Sequence, residues 1–366
     1  MFLAQLAEPN PSEEPADVLR SLALMANFAA QEITGHTDAS RGVNELFDAL
    51  ANPSPHARTV VLAMLPESAR SLCQAAADSN SIPLLPCTGT TPDPEALGWL
   101  IINLPLADNT HTMELSIVLD VELQPLPGDL AGAEAAEVVR ALLEAAASLA
   151  PRYGRTVLQL WQQHSLTTND ALAPLFQDCG FEQALTQVES VLSLPLPGKT
   201  TDTKTLGFAN EDFPEELLPS VAALYQQASA DQPFGMLLVE EAPWDESRLQ
   251  EATSHFRSLG TRNYHALALS PAGQVCALSE VWIHEGFSAE VAVQGLTYVL
   301  PEYRGQGLGE ALKRRALAVL QESCPSVQRV YTAVATENAA MLALNRKLGS
   351  VPVGYASAWQ RKLESS

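Results

Sequence analysis

The spacing of apolar positions changes several times along the second half of the chain. Apolar and polar residues alternate over Tyr264–Ser270 and Val275–Glu285, on either side of Pro271-Ala272-Gly273-Gln274, which predicts two strands joined by a tight turn. Glu290–Leu300 is rich in β-branched and apolar residues and predicts a further strand. The period then lengthens. Leu308, Leu312, Ala316, Val319 and Leu320 fall on one face of a helix over Leu308–Glu322. Arg329–Ala335 predicts a strand, Ala339–Leu348 a helix stopped by Gly349, and Ala356–Leu363 the last strand. Upstream, Glu215–Ala230 and Asp245–Leu259 read as helices.

The first half follows the same order with weaker signals. Arg58–Leu65, Leu97–Leu104 and Thr112–Leu123 predict strands, Ala133–Ala150 an alanine-rich helix, Thr156–Leu160 a strand, Asp170–Cys179 a helix, and Gln183–Ser193 a closing segment. Leu175–Phe181 (LFQDCGF) has the layout of Leu344–Ser350 (LNRKLGS). A tandem duplication is the economical reading. The proline- and glycine-bearing stretch that follows Ser193 has linker composition, so the expected domains are 1–195 and 206–366, joined by 196–205.

Composition narrows the class. A chain of 366 residues with 46% apolar content fits two globular domains, and no uninterrupted apolar run is long enough to span a membrane. Met1–Asp17 lacks a basic region and carries Glu8, Glu13, Glu14 and Pro15, unlike a signal peptide. The five cysteines are dispersed with no CxxC spacing, which predicts reduced thiols in a cytoplasmic protein and no metal site. The formal charge is −22, and residues 1–195 carry 24 carboxylates against seven arginines and no lysine. Such a surface argues against nucleic acid and anionic membranes as partners and is compatible with a cationic acceptor.

The chemistry concentrates where a strand feeds a helix through Pro301-Glu302-Tyr303-Arg304-Gly305-Gln306-Gly307-Leu308-Gly309. A glycine-rich turn exposes backbone N–H groups at the positive end of the helix dipole, where they can hold an anion. Glycines let the backbone approach oxygens that a Cβ would hold off, and Arg304 adds a charged donor. Lys313, Arg314 and Arg315 follow on the same helix and are candidates to attract a further phosphate. Other loops of this type fail on spacing. A dinucleotide fingerprint needs glycine where Glu310 stands, and Gly198-Lys199-Thr200 lacks the first glycine of a Walker loop because position 193 is serine. His284-Glu285 is not HExxH, since position 288 is serine.

Val299–Gly309 resembles motif A of the GNAT superfamily of acyl-CoA-dependent N-acyltransferases. Thr336-Glu337-Asn338 and Asn345-Arg346-Lys347-Leu348-Gly349 resemble its motif B. More narrowly, the chain looks like the actinobacterial two-domain members, whose layout mycothiol synthase shares. The resemblance implies an α/β (α+β) protein of two tandem GNAT folds, each a mixed, mostly antiparallel sheet with splayed central strands flanked by helices. It implies that acetyl-CoA is the co-substrate. The loop Arg304, Gly305, Gln306, Gly307, Leu308 and Gly309 would then hold the pyrophosphate. The backbone of Tyr298, Val299 and Leu300 would pair with pantetheine, and Asn338 would sit at the cofactor edge of the neighbouring strand. Between Leu123 and Ala133 the first half has no arginine and carries Asp129, so against the family's pattern it reads as a degenerate, CoA-free copy that shapes the acceptor cleft or a dimer.

An amine of pKa near 10.4 must lose a proton before it attacks, which costs about 4–5 kcal/mol at pH 7. Glu280, on the strand that would flank the thioester, is the first candidate base and Glu290 the second. Gln294 and Thr297 are candidates to orient water or acceptor. Where many superfamily members place a tyrosine to protonate the leaving thiolate, this chain has Asn345, which cannot act as an acid but can hydrogen-bond a sulfur or hold a water, and so is the catalytic candidate beside Glu280. Tyr298, Tyr303 and Tyr355 are the other tyrosines considered for that role. Cys276 and Cys324 read as core thiols, which favours direct attack over an acyl-enzyme. The expected activity is N-acetylation of a primary amine on a small metabolite by a monomer or homodimer. A protein or peptide acceptor and a non-catalytic acyl-CoA-binding module are the alternatives.

Overall fold

The structure, a computed structural model, describes residues 1–364 apart from 41, 53, 55, 76–81, 198–204, 210–212, 242 and 287. Its contacts divide the chain into two compact units. The first is Met1–Thr186 with Gly235–Glu240 and the segment from Gly354 onward; the second is Gln187–Phe234 with Glu241–Val353.

In the first unit, strand β1 (Phe2–Leu6) leads to helices α1 (Asp17–Thr34) and α2 (Val43–Ala51). Strands β2 (Ala57–Leu65), β3 (Leu84–Leu85), β4 (Gly98–Pro105) and β5 (Thr112–Leu119) follow, then α3 (Ala133–Leu149), β6 (Val157–His164), α4 (Ala173–Asp178) and β7 (Glu182–Ser193). The run along β2 is apolar at nearly every position because both faces of the sheet are covered. Val60, Leu62 and Met64 pack with Val138, Leu142 and Ala146 of α3, whereas Val61, Ala63 and Leu65 pack with Leu19 and Leu22 of α1 and Phe47 of α2.

The second half of the chain repeats this order: β8 (Thr205–Ala209), α5 (Leu218–Asp231), α6 (Glu246–Ser258), β9 (Thr261–Leu269), β10 (Val275–His284), β11 (Val291–Val299), α7 (Leu308–Ser323), β12 (Arg329–Ala335), α8 (Ala339–Lys347) and β13 (Val351–Lys362). The turn between β9 and β10 closes through Gly273 at φ 80°, a conformation that side chains disfavour. Asp245 caps α6 by accepting from the Arg248 N–H at 2.8 Å. Helix α7 fills one face of the sheet with Leu312, Ala316 and Leu320 against Tyr264, Ala266 and Val281. Helices α5 and α6 cover the other face with Val221, Leu224 and Leu249 against Leu267 and Leu278. Gly207 lets β8 lie close on α7, since a Cβ there would stand 2.5 Å from Val319 Cγ2.

Two features link topology to site. In each unit a parallel pair of neighbouring strands comes apart part-way. β5 pairs with β6 from Thr112↔Val157 to Leu115↔Leu160, and β11 pairs with β12 only from Val291↔Arg329 to Val293↔Tyr331. The closing strands are also exchanged. β7, which follows α4, pairs along Gln187–Ser193 with β12, and β13, at the end of the second half, pairs along Tyr355–Lys362 with β6. The boundary expected at 196–205 rests on linker composition, which says nothing of the sheet a strand joins. The contacts instead cut the chain within β7 and within β13. Of that linker, residues 198–204 lie outside the described residues.

Candidate functional site

The second unit's opening begins where β11 leaves β12. Past Val293, β11 continues along β10 alone, through Gln294↔Val281, Thr297↔Ser279, Tyr298↔Leu278 and Val299↔Ala277. The register shifts between Ser279 and Val281, so Gly295 and Leu296 together stand opposite Glu280 in a bulge. The Leu300 N–H donates to Cys276 O at 3.0 Å, toward β10, so the carbonyl of Val299 in the same peptide unit points to the open side. This is the strand edge on which a pantetheine amide was expected to pair.

Beyond Val299 a single 3₁₀ turn, Pro301–Tyr303, carries the chain into the loop. Gly305 (φ 75°) and Gly307 (φ 79°) are both left-handed, and a Cβ added at either would meet nothing within 4 Å. Gly307 is the N-cap of α7 and has no side chain to offer the first turn, whose N–H groups have no acceptor within the helix. The loop is thus an exposed, open cradle of backbone donors at the positive end of a helix that runs to Ser323. A phosphate-bearing group fits this donor set.

Arg304 is oriented differently from the expectation. Its Nε donates to Val299 O at 2.9 Å and its Nη2 to Asp231 Oδ2 at 3.1 Å, while the guanidinium lies 5.5 Å from the Tyr298 ring centre. The same Asp231 oxygen accepts from the Tyr298 hydroxyl at 2.5 Å. Asp231 is the last residue of α5, and the sequence reading missed it because nothing in its spacing connects it to the loop. The Tyr298 hydroxyl and then Arg304 hold the Asp231 carboxyl below its ordinary range. Burial first, and Asp231 second, push the Tyr298 phenol up to about 12, so it stays protonated and its role is to hold the carboxylate. The charges expected further along α7 do not face the loop. Arg314 pairs with Glu310 and donates to Pro197 O, Arg315 stands 3.9 Å from Glu322, and Lys313 is buried.

Glu280 lies across β11 at the start of the opening. Its Oε2 accepts from the Leu296 N–H at 3.1 Å, and a Cβ on Gly295 would stand 2.9 Å from the same oxygen, so only glycine leaves room for the carboxylate. The side chain is 15% exposed, with His265 Nδ1 at 3.9 Å from its other oxygen. His265 is buried, and burial lowers its pKa to about 3, so it faces Glu280 as a neutral ring. Gln294 donates to Ser279 Oγ and to the Glu280 carbonyl, and Ser279 and Thr297 share a 2.9 Å hydroxyl contact. These polar groups fix the bulge that sets Glu280. Glu290 is paired with Arg329 at 3.0 Å, before the start of β11 and away from the opening.

Of the motif B residues, Asn338 uses its side-chain oxygen to cap α8, accepting from Met341 N–H at 3.1 Å. Asn345 is buried and accepts from Lys313 Nζ at 2.9 Å. The sequence reading did not notice this contact, yet the spacing held the signal: positions 309, 313, 316 and 320 share one face of α7, and only lysine 313 breaks its apolar character. Tyr303 packs at the edge of the core beside α7, and Tyr355 stacks on His164 in the first unit. Cys276 and Cys324 are buried, Cys324 within 3.1 Å of the Tyr264 hydroxyl, and burial raises the Cys276 thiol.

In the first unit the loop 120–132 enters α3 through Gly132, which is not left-handed, and Asp120 accepts from Glu122 N–H. Among the described residues no group of three or more His, Cys, Asp or Glu side chains is placed to hold a metal ion. No helix among them is long and apolar enough to cross a membrane.

Comparison with known proteins agrees with this layout. Residues 222–350 match the family described as Acetyltransferase (GNAT) family. Among solved structures, a tandem GNAT protein from the clavulanic acid biosynthesis pathway is similar over 100% of this chain and 99% of its own, at 20% identity and a TM-score of 0.67. A GCN5-related N-acetyltransferase from Sphaerobacter thermophilus is similar over 100% and 96%, at 14% identity and a TM-score of 0.62. A GCN5-related glucosamine N-acetyltransferase region of a fungal multi-domain β-N-acetylglucosaminidase is similar over 98% of this chain and 38% of that one, at 12% identity and a TM-score of 0.59. No curated protein matches. Residues 222–350 are thus similar to the GNAT acetyltransferase family, and the chain that carries them has the tandem GNAT fold.

Proposed function

We propose that the protein is an acyl-CoA-dependent N-acetyltransferase that acetylates the primary amine of a small metabolite by direct attack, without a metal. The observation that carries this reading is the bare edge of β11. Beyond Val293 it has no strand partner on the β12 side among the described residues, and through one turn it leads into the glycine cradle at the N-terminus of α7.

Each element has a part in binding. The first-turn N–H groups of α7, with Gly305 and Gly307, hold the pyrophosphate. The backbone of Tyr298–Leu300 pairs with the pantetheine arm as an added strand would. When bound, the co-substrate supplies the thioester-activated acetyl group. Val299 O accepts from Arg304 and keeps a second lone pair for a ligand amide, and a guanidinium that lets go of it becomes available to the pyrophosphate. Glu280, oriented by Leu296 N–H and by the space above Gly295, takes the proton of the incoming amine. A base so placed contributes about 10²–10⁴-fold. Cys276 and Cys324, the cysteines of the second half of the chain, are buried, which supports direct attack over a covalent enzyme intermediate.

Thiol release from acetyl-CoA over a panel of small amines, amino acids and lysine-bearing peptides tests the proposal. Turnover confined to small amines supports it. Turnover on peptides alone moves the acceptor class to proteins. Protection against heating by acetyl-CoA with no turnover on any amine would leave only a binding module.

A further inference from the structure

Helices α5 and α6 pack over β9 and β10, where Val221, Leu224 and Leu249 meet Leu267 and Leu278. Further across the same face of the sheet the cover stops. Ala333 of β12 is exposed, although β12 is an interior strand that pairs with β11 on one side and β7 on the other.

Side chains alternate along a strand and paired residues share a face, so the register says what else looks out beside Ala333. Val281, Ala292, Val330 and Leu192 mark the α7 side of β10, β11, β12 and β7. Their odd-numbered or even-numbered neighbours therefore face the other way: Glu280 on β10, Tyr331 and Ala333 on β12, and Glu189, paired with Ala333, on β7. Two carboxylates thus share one face, on either side of the place where β11 and β12 part. Glu280 reaches over β11, with its Oε2 at 3.1 Å from the Leu296 N–H. Glu189 stands level with Ala333, two residues past Tyr331, the last residue of β12 to pair with β11. Neighbouring strands lie about 4.8 Å apart, so β7 is about 10 Å from β11, with Ala333 between them.

The duplication shows what a closed version of this face looks like. In the first unit β6 and β13 hold the places of β12 and β7. Their face away from α3 is covered by the segment Gly235–Glu240: Gln159 of β6 and Gln360 of β13 are buried and hydrogen-bonded to the backbone of Leu238 and Met236. The second unit leaves open at Ala333 a surface that the first fills with its own backbone. Glutamate is also a poor residue for the middle of a strand, and half-burying its carboxylate costs hydration, so packing alone does not recommend Glu189.

We propose that Glu189 is a specificity-determining residue of the acceptor site, and that the acceptor is a small diamine. One nitrogen attacks beside Glu280 while Glu189 holds the other as an ammonium. The inference rests on the acetyltransferase reading above and adds the class of amine to it. The attacking nitrogen gives up its proton to Glu280 and takes the acetyl group, with the thiolate of CoA leaving; the nitrogen at Glu189 keeps its proton and its charge. Glu189 lies in the first half of the sequence, so the strand exchange brings a residue of that half to the acceptor side of the opening in the second unit.

Rates with diaminobutane, diaminopentane and agmatine, against butylamine and pentylamine at saturating acetyl-CoA, test this. In the wild type kcat/KM should be about 10-fold or more higher for the diamines, the size of one charge-assisted contact. Glu189→Gln keeps the shape of the side chain and should raise KM for diaminobutane by about that factor, with kcat little changed and butylamine unaffected. A loss that falls equally on both amines is what a merely structural residue would give, and it overturns the proposal. Glu189→Lys should turn the preference toward aminobutyrate, whose distal group is a carboxylate; an unaltered diamine preference overturns the role. If the Glu189 variants do not fold, Ala333→Lys, at an exposed position, sets an ammonium beside Glu189 and should abolish the diamine preference, and a preference that survives it overturns the proposal. A wild type without turnover on any amine fails the acetyltransferase reading, whereas a wild type that acetylates butylamine as readily as diaminobutane fails this inference alone.

Discussion

Asp231 occupies one nitrogen of Arg304, the arginine expected to meet the pyrophosphate, so removing the Asp231 charge should strengthen acetyl-CoA binding. Asp231→Asn keeps an oxygen for the Tyr298 hydroxyl and changes the shape of the cluster little, while it removes the ionic half of the contact at 3.1 Å. The pair is open to solvent, with Arg304 53% and Asp231 43% exposed, which limits its strength. Exposed pairs contribute about 0.2–1 kcal/mol, so releasing Arg304 should tighten the complex by about 1.5- to 5-fold. Calorimetric titration with acetyl-CoA at low and high salt would measure the gain, which should shrink as salt screens both the pair and the ligand. In an Arg304→Met background the effect of Asp231→Asn should fall toward nothing. Because the Asp231 carboxyl is held below its ordinary range, its part in the cluster is complete above that range and is lost only as pH falls through the depressed value. The difference between wild type and variant should therefore be flat from pH 6 to 8. If Asp231→Asn binds acetyl-CoA more weakly, or gains as much without Arg304, Asp231 orients the site and does not restrain it, and the reasoning fails.

Other expectations follow from the same geometry. Glu280→Gln should lower kcat by about 10²-fold or more, with partial recovery at high pH as the amine loses its proton unaided; an unchanged rate would remove Glu280 from the mechanism. Gly295→Ala puts a methyl 2.9 Å from the Glu280 carboxylate and 3.2 Å from Trp282 Cδ1, and should cost about 1–3 kcal/mol in a urea melt together with a fall in kcat. A variant as stable and active as the wild type would show that the carboxylate need not lie there. His265 has a folded pKa of about 3 against an ordinary value near 6.5, so the unfolded chain takes up a proton that the folded chain refuses. Stability should fall by about 2 kcal/mol from pH 7.5 to pH 5, and His265→Gln should flatten that dependence if the buried ring is its source.

Much of the second unit could be read from the sequence because local and tertiary preferences agree there. The run Val275–Glu285 alternates and forms β10 over Val275–His284; Leu308–Glu322 has helical period and forms α7 over Leu308–Ser323; Arg329–Ala335 is β12 as read. The early part of the first unit was not read at all. β1 has only five residues, and α1 shows no side-chain cap to mark its start, so neither announces itself. Thr112–Leu123 was read too long because the apolar pattern continues past Leu119 into a turn made by Asp120. In the site, the glycine cradle was legible since φ above zero demands glycine at 305 and 307. The orientation of Arg304 was not, because its partner Asp231 lies 73 residues away on another helix. The Glu280–Gly295 contact likewise depends on a bulge, which pattern alone does not register.

The exchanged strands bear on how the chain is made. The edge of β6 is covered by Tyr355–Lys362, so the first sheet lacks that strand until those residues have been synthesised. In the meantime β6 presents an open row of backbone donors and acceptors, the kind of edge on which nascent chains pair wrongly. Domain-by-domain folding behind the ribosome, available to most tandem proteins, is closed to this one at its final step. A ribosome that stalls before Val351 would release a first unit still lacking a strand, a species for chaperones to hold until the remainder arrives.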